Sequence, residues 1–166
     1  MIRKKKSFSR PRKPFEITRI KDEDSLIRQF GLKNKKEIWK TLAKVNYYRS
    51  RAKALAKSSH EEQSILFKKL QAIGLNVSTI AEVLDLKVED LLNRRLPTVI
   101  AKRGLANTPK QARQFVTHKK VIINNQIVNS PSYLVPIAFE KSIALKIAKI
   151  KNKKEEAQIE TGENND

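Results

Sequence analysis

Residues 94–135 read RRLPTVIAKRGLANTPKQARQFVTHKKVIINNQIVNSPSYLV, and their order decides what the chain can fold into. Thr108 is an N-cap, Pro109 takes a first-turn position where its missing N–H costs nothing, and Gln111 completes a capping box. A helix over 108–118 follows. At 100° per residue Ala112, Phe115 and Val116 gather on one side and Lys110, Arg113, Gln114 and Thr117 on the other. Val121–Ile123 and Gln126–Val128 read as paired strands joined by Asn124-Asn125, residues that tolerate positive φ. Pro131, Ser132 and Tyr133 form a loop. Further strand is predicted at Leu134-Val135 and near Ser142 to Leu145. Upstream, residues 87–102 read as a helix with Glu89 and Asp90 in its first turn. Pro97 inside it forces a kink or a restart near Leu96, and Gly104 closes the element.

Working outward, the N-terminal half alternates helical patterns with glycine stops. Asp22, Glu23 and Asp24 suit the positive end of a short helix that Gly31 terminates. A long helix spans Lys35 to Lys57, with Ile38, Leu42, Val45, Ala52 and Leu55 on an apolar face. Lys36, Lys40, Lys44, Arg49, Arg51, Lys53 and Lys57 occupy most of the rest. Trp39, Tyr47 and Tyr48 sit among those bases, where an aromatic either enters the core or stacks on nucleic-acid bases. A helix from Glu61 to Ile73 turns Ile65, Leu66, Leu70 and Ile73 inward, and a short one from Thr79 to Leu84 has capping-box spacing at Thr79 and Glu82. Residues 1–20 carry eight bases, one acid and two prolines, a composition that stays disordered when free. The stretch from Lys146 to Lys154 is basic and compatible with helix. Residues 155–166 are expected to be disordered.

The charge narrows the function. Thirty-six Lys and Arg face 17 Asp and Glu, a formal net charge of +19. Five of those acids lie in the last twelve residues, and none occurs in the 49 residues between Asp90 and Glu140. Self-repulsion on this scale needs a polyanion to absorb it. Charge spread along the whole chain fits phosphate backbone. A membrane surface is the rival polyanion, but no apolar run approaches the ~20 residues that span a bilayer. No cationic helix carries the wide apolar face of an interfacial one either. The chain has no cysteine, which excludes disulfides and thiolate metal sites and fits a reducing compartment. MIRKKKSFSRPRKPF lacks the apolar centre of a secretory signal, so a cytoplasmic location is expected.

Catalytic chemistry finds no foothold. His60 and His118 are 58 residues apart with no serine or carboxylate pattern around either. His118 reads better as a hydrogen-bond donor to RNA or a cation at a helix C-terminus. No glycine-rich phosphate loop, paired carboxylates or metal-ligand spacing is present. No enzyme, cofactor or metal is expected.

The segment LLNRRLPTVIAKRGLANTPKQARQFVTHKKVIINNQIVNSPSYLV resembles the S4 RNA-binding domain. Upstream, FGLKNKKEIWKTLAKVNYYRSRAKAL is similar to the N-terminal helical lobe of the archaeal and eukaryotic branch of the S4 ribosomal protein family. With VLDLKVEDLL, the likeness runs from about residue 22 to 145. The domain alone is shared with pseudouridine synthases, some tRNA synthetases and heat-shock RNA binders. Its combination with GLKNKKEIWK is far more specific.

The resemblance implies an α+β chain. A basic arm (1–20) leads to an N-terminal α-helical lobe (21–92). A small α/β RNA-binding domain of two helices and a short antiparallel sheet (93–150) follows, then a charged tail (151–166). Both ends, the basic and the acidic, are disordered. It implies early binding to a junction in the 5′ domain of small-subunit rRNA, a place near the path by which mRNA enters, an influence on decoding accuracy, and neighbouring small-subunit proteins as partners. Carried over by position, the RNA face comprises Arg94, Arg95, Lys102, Arg103, Lys110, Arg113, Gln114, Thr117, His118, Lys119 and Lys120, with Ser132 and Tyr133 at the loop. Lys36, Lys40, Arg49 and Arg51 join it from the lobe. On this reading Arg113→Glu weakens RNA binding without unfolding the chain.

Three positions depart from the family pattern. Lys119-Lys120 stands where Gly-His is usual, Asn125 replaces a frequent turn glycine, and Pro97 replaces a residue that is often polar. The alternative is a pre-rRNA processing factor carrying the same domain. A free RNA or heat-shock binder is a more distant rival, disfavoured by the long N-terminal lobe.

Overall fold

The computed structural model describes residues 7–146. Eight helices and three strands follow in order among them: α1 (Ile17–Phe30), α2 (Lys35–Leu55), α3 (His60–Ile73), α4 (Ile80–Asp85), α5 (Val88–Asn93), α6 (Leu96–Lys102), α7 (Pro109–Thr117), β1 (Val121–Ile123), β2 (Gln126–Ile127), α8 (Ile137–Glu140) and β3 (Ile143–Leu145). The strands form one antiparallel sheet in the order β2-β1-β3, with Ile122 opposite Ile127 on one side and Ala144 on the other. The chain is thus α+β, helical in its first half with a small sheet in its second.

Three apolar clusters hold it together. The C-terminal one joins Leu96, Val99 and Ile100 of α6 to Ala112 and Val116 of α7 and to Val121, Ile123 and Ile143 of the sheet. A second unites Val45 and Ala52 of α2 with Leu66, Leu70, Val83 and Leu91. The third is small: Phe30, Leu32 and Ile38 close on Leu92. Leu91 and Leu92 are adjacent in α5 and point into different clusters, so this short helix rivets the lobe together.

The second half follows its local signals closely. Thr108 Oγ1 accepts from the Gln111 N–H at 3.2 Å, while the Gln111 side chain reaches back to the Asn107 N–H at 2.9 Å. Pro97 does force a restart: α5 ends at Asn93 and α6 begins at Leu96. The Leu96 N–H donates to the Tyr133 carbonyl at 2.9 Å instead of continuing a helix. Asn124 and Asn125 take φ of 46° and 62°, the turn that antiparallel pairing needs.

Lys119 adopts φ 59°. Its N–H bonds the Val116 carbonyl and that of Lys120 bonds Phe115, which together form a Schellman motif closing α7. A left-handed lysine costs roughly 1–2 kcal/mol, part of which glycine returns as greater freedom in the unfolded chain. Lys119→Gly is therefore expected to stabilise by about 0.5–1 kcal/mol, raising the thermal midpoint by about 1–4 °C. A fall in the midpoint, read by circular dichroism, would contradict this account.

Elsewhere tertiary partners override the local reading. α1 begins at Ile17, so Asp22, Glu23 and Asp24 lie mid-helix rather than in the first turn. Glu23 is turned inward, where its Oε1 accepts from Trp39 Nε1 at 2.9 Å and from Arg19 at 2.8 Å. Trp39 is thereby committed to the fold, with Phe8 beside it at 6.1 Å between ring centroids. The chain is placed from Ser7 onward, and Arg19 holds the carbonyls of Lys13 and Pro14.

Leu42 and Ile65, expected inside, are 41% and 64% exposed. Thr41 takes the inward place beside Leu42 because its hydroxyl is satisfied by the Glu37 carbonyl at 2.9 Å. Ile65 is one residue off the buried Leu66–Leu70 line. Leu134 makes only a single bridge, to Arg95, instead of a strand, and α8 was not foreseen. Residues 1–6 and the stretches expected to be helical or disordered after Lys146 lie outside the described residues.

Candidate nucleic-acid interface

The candidate cationic residues separate into two groups. Those facing solvent begin with α7, which presents Lys110, Gln114 and Thr117, and its closing turn adds His118, Lys119 and Lys120. Lys120 Nζ lies 5.9 Å from the Phe115 ring centre, close enough for a cation–π contact that steadies the turn. Lys36 and Lys40 are exposed on the first turns of α2, and Ser132 is exposed in the loop before Val135. Thr117 spends its hydroxyl on the Arg113 and Gln114 carbonyls. Lys102 reaches Asn93 Oδ1 at 3.0 Å.

The second group faces inward, which the sequence reading did not anticipate. The Arg95 side chain is only 6% exposed. Its Nη2 donates to Glu37 Oε2 at 2.8 Å and its Nε to the Pro131 carbonyl. Arg113 grips the same carboxylate with both nitrogens, Nη1 to Oε2 at 3.0 Å and Nη2 to Oε1 at 2.7 Å. Arg94 bonds the Ile73 and Val135 carbonyls at 2.8 and 2.9 Å and pairs with Glu140 at 3.1 Å. Arg49 donates to the Leu86 carbonyl at 2.7 Å. Arg103 is the exception: it donates to the Glu140 and Ile143 carbonyls but stays exposed. Tyr133 is partly buried against the C-terminal core. Arg51, farther along α2, is exposed and donates to the Tyr47 hydroxyl at 3.2 Å.

These inward arginines are braces. Glu37 sits in the first turn of α2, Arg95 just before α6 and Arg113 in α7. The triad therefore ties the helical lobe to the C-terminal module. Burial alone would raise the Glu37 carboxyl, but hydrogen bonds from Arg113 and Arg95, and their charges, outweigh it and hold the group below its ordinary range. The expectation that Arg113→Glu leaves the fold intact is corrected accordingly, since it would set two carboxylates face to face inside a brace. Glu37 itself was missed. It is the lone acid between Asp24 and Glu61, a signal visible in an otherwise cationic run.

The close approach of the two halves is also set at Gly31, whose φ is 60°. A Cβ there would stand 2.8 Å from Lys110 N and from the Pro109 carbonyl carbon. The end of α1 thus touches the start of α7, which brings the basic opening of α2 beside the exposed face of α7. Below that junction lies a cleft of about 350 Å3 that collects Lys40, Arg95, Arg113 and Ser132, together with Lys44. A second cleft, on α4 and α5, is lined by Glu82, Asp85 and Asp90 as well as Arg94 and Lys102. Among the described residues no group of three or more His, Cys, Asp or Glu is placed to hold a metal ion. No described helix is long and apolar enough to cross a membrane.

A family model described as S4 domain matches residues 94–137, from Arg94 through the first residue of α8. Several curated proteins align along most of the chain. The small ribosomal subunit protein uS4 of Methanococcus aeolicus is 40% identical over 146 residues, covering 84% of this chain and 82% of its own. That of Methanosphaerula palustris is 41% identical over 142 residues, covering 79% and 78%. That of Halobacterium salinarum is 39% identical over 142 residues, covering 84% of each.

Proposed function

The chain belongs to the S4 family of small ribosomal subunit proteins, in its archaeal-type branch, and on that footing we propose that it binds small-subunit rRNA as a structural constituent of the ribosome. The family is structural, and the chain is not an enzyme. The observation that carries the RNA reading is the surface of α7 and its closing turn. Lys110, Gln114, Thr117, His118, Lys119 and Lys120 all face solvent there, and no carboxylate interrupts them. Lysines neutralise phosphates and release counterions, while helix faces fixed relative to one another fit the shape of an RNA junction.

The finer reading is a junction in the 5′ domain of the rRNA, bound early in assembly. The bound protein lies in the cytoplasm near the path by which mRNA enters, touches neighbouring small-subunit proteins, and supports accurate decoding. In this reading Lys36 and Lys40 extend the α7 surface across the lobe. Arg94, Arg95 and Arg113 act indirectly, by holding the two surfaces in register.

The test is binding to isolated 5′-domain rRNA against unrelated duplex while salt is raised. With six to ten phosphate contacts, affinity for either RNA should fall about 10³–10⁵-fold between about 50 and 200 mM salt. Preference for the 5′ domain should survive. Lys110→Ala with Lys120→Ala should leave the circular dichroism unchanged and flatten the salt slope by about 2. Equal loss on both RNAs would reduce the protein to a nonspecific polycation. Co-sedimentation with mature small subunits separates this role from that of a pre-rRNA processing factor.

A further inference from the structure

The cleft between α2 and the loop before Val135 has a composition that phosphate neutralisation alone does not require. Leu91, Pro131 and Leu134 give it an apolar lining, while Lys40 and Lys44 reach it from successive turns of α2 and are exposed. Behind them the Arg95 and Arg113 guanidinia are locked on Glu37. At about 350 Å3 it falls within the range of small-ligand sites. Four cations against one carboxylate select an anion, and the apolar lining selects a flat ring attached to it. The cleft on α4 and α5, lined by Glu82, Asp85 and Asp90, has the wrong charge for such a ligand.

We propose that this cleft receives one unpaired nucleotide of the bound RNA, splayed out of its helix. Its base lies against the partly exposed Pro131 and Leu134, with the buried Leu91 beneath them, and its phosphate is held by Lys40 and Lys44. The proposal rests on the reading that the chain binds RNA and adds a specific contact to it. Proteins read RNA sequence chiefly through unpaired bases, which stack on side chains once extruded. A latch that keeps Arg95 and Arg113 stationary keeps the wall of such a pocket preformed.

The experiment uses the full chain with ¹³C-labelled leucine methyls, titrated with each of the four nucleoside 5′-monophosphates and, separately, with inorganic phosphate. Saturable shifts of the Leu91 and Leu134 methyl signals are expected with the nucleotides and not with phosphate. Lys40→Ala with Lys44→Ala, both changes at exposed positions, should weaken the nucleotide response about tenfold or more. Equal shifts with phosphate alone would overturn the proposal in favour of a plain anion site. No shift with any probe would overturn it outright. Either outcome leaves rRNA binding to be judged on its own by the salt titration of the same protein, and loss of rRNA preference with intact nucleotide shifts would sink the broader reading instead.

Discussion

Glu37→Ala should destabilise the chain by about 3 kcal/mol, because it strands two guanidinia that share one carboxylate, one of them almost wholly buried. For a chain of this size that is a drop of about 6–12 °C in the thermal midpoint. The alternative, an ordinary surface ion pair, would cost at most about 1 kcal/mol. The two magnitudes are far enough apart for a thermal melt to decide between them. Replacing the whole triad with apolar residues of similar size (Glu37→Leu, Arg95→Met, Arg113→Leu) should recover most of the loss, since no charge is then left unpaired.

The same triad sets an acid dependence. Its arginine partners outweigh burial and hold the Glu37 carboxyl below the usual carboxylate range, so its contribution is fully present above that range. It is lost as pH falls through the lower folded-state value. In Glu37→Gln this portion of the acid limb should be missing. An unchanged acid limb would mean that the carboxylate does not bind the halves together.

Gly31→Ala is the second large effect. A left-handed alanine costs roughly 1–2 kcal/mol wherever it occurs. At Gly31 the new Cβ also meets backbone atoms of Pro109 and Lys110 at 2.8 Å. That backbone cannot retreat cheaply, because Ala112 and Val116 anchor the same helix in the C-terminal core. A total of about 3 kcal/mol is expected, counting the overpacking. Gly104 supplies the control: its φ is 72°, and no atom lies within 4 Å of the added Cβ. Gly104→Ala should show the backbone cost alone. Equal losses at the two sites would mean that α1 and α7 do not meet as described. If the close approach also sets the RNA surface, Gly31→Ala should reduce rRNA preference where Gly104→Ala does not.

Much of the second half was legible from local chemistry. The Thr108 cap, the Pro97 restart and the Asn124-Asn125 turn each act over a few residues of backbone, so a short window of sequence contains their cause. The inward turn of Glu23 and the exposure of Leu42 and Ile65 were not legible. Periodicity gives a helix its apolar side but does not say which neighbour covers each turn.

Composition and local spacing in the sequence determined the abundance of cations and most of the local elements, and the resemblance carried by residues 94–135 and the helices before them pointed to the family; α8 and the lone bridge at Leu134 came only with the fold. Only the tertiary structure decided which cations remain available to RNA. Arg95 and Arg113 find Glu37 across 58 and 76 residues, and Arg94 finds Glu140 across 46. No window of sequence distinguishes a buried arginine from an exposed one. What separates them is a carboxylate or carbonyl brought within hydrogen-bonding distance by folding, where leaving the charge unpaired would cost several kcal/mol (roughly 3–5 in a fully buried pair).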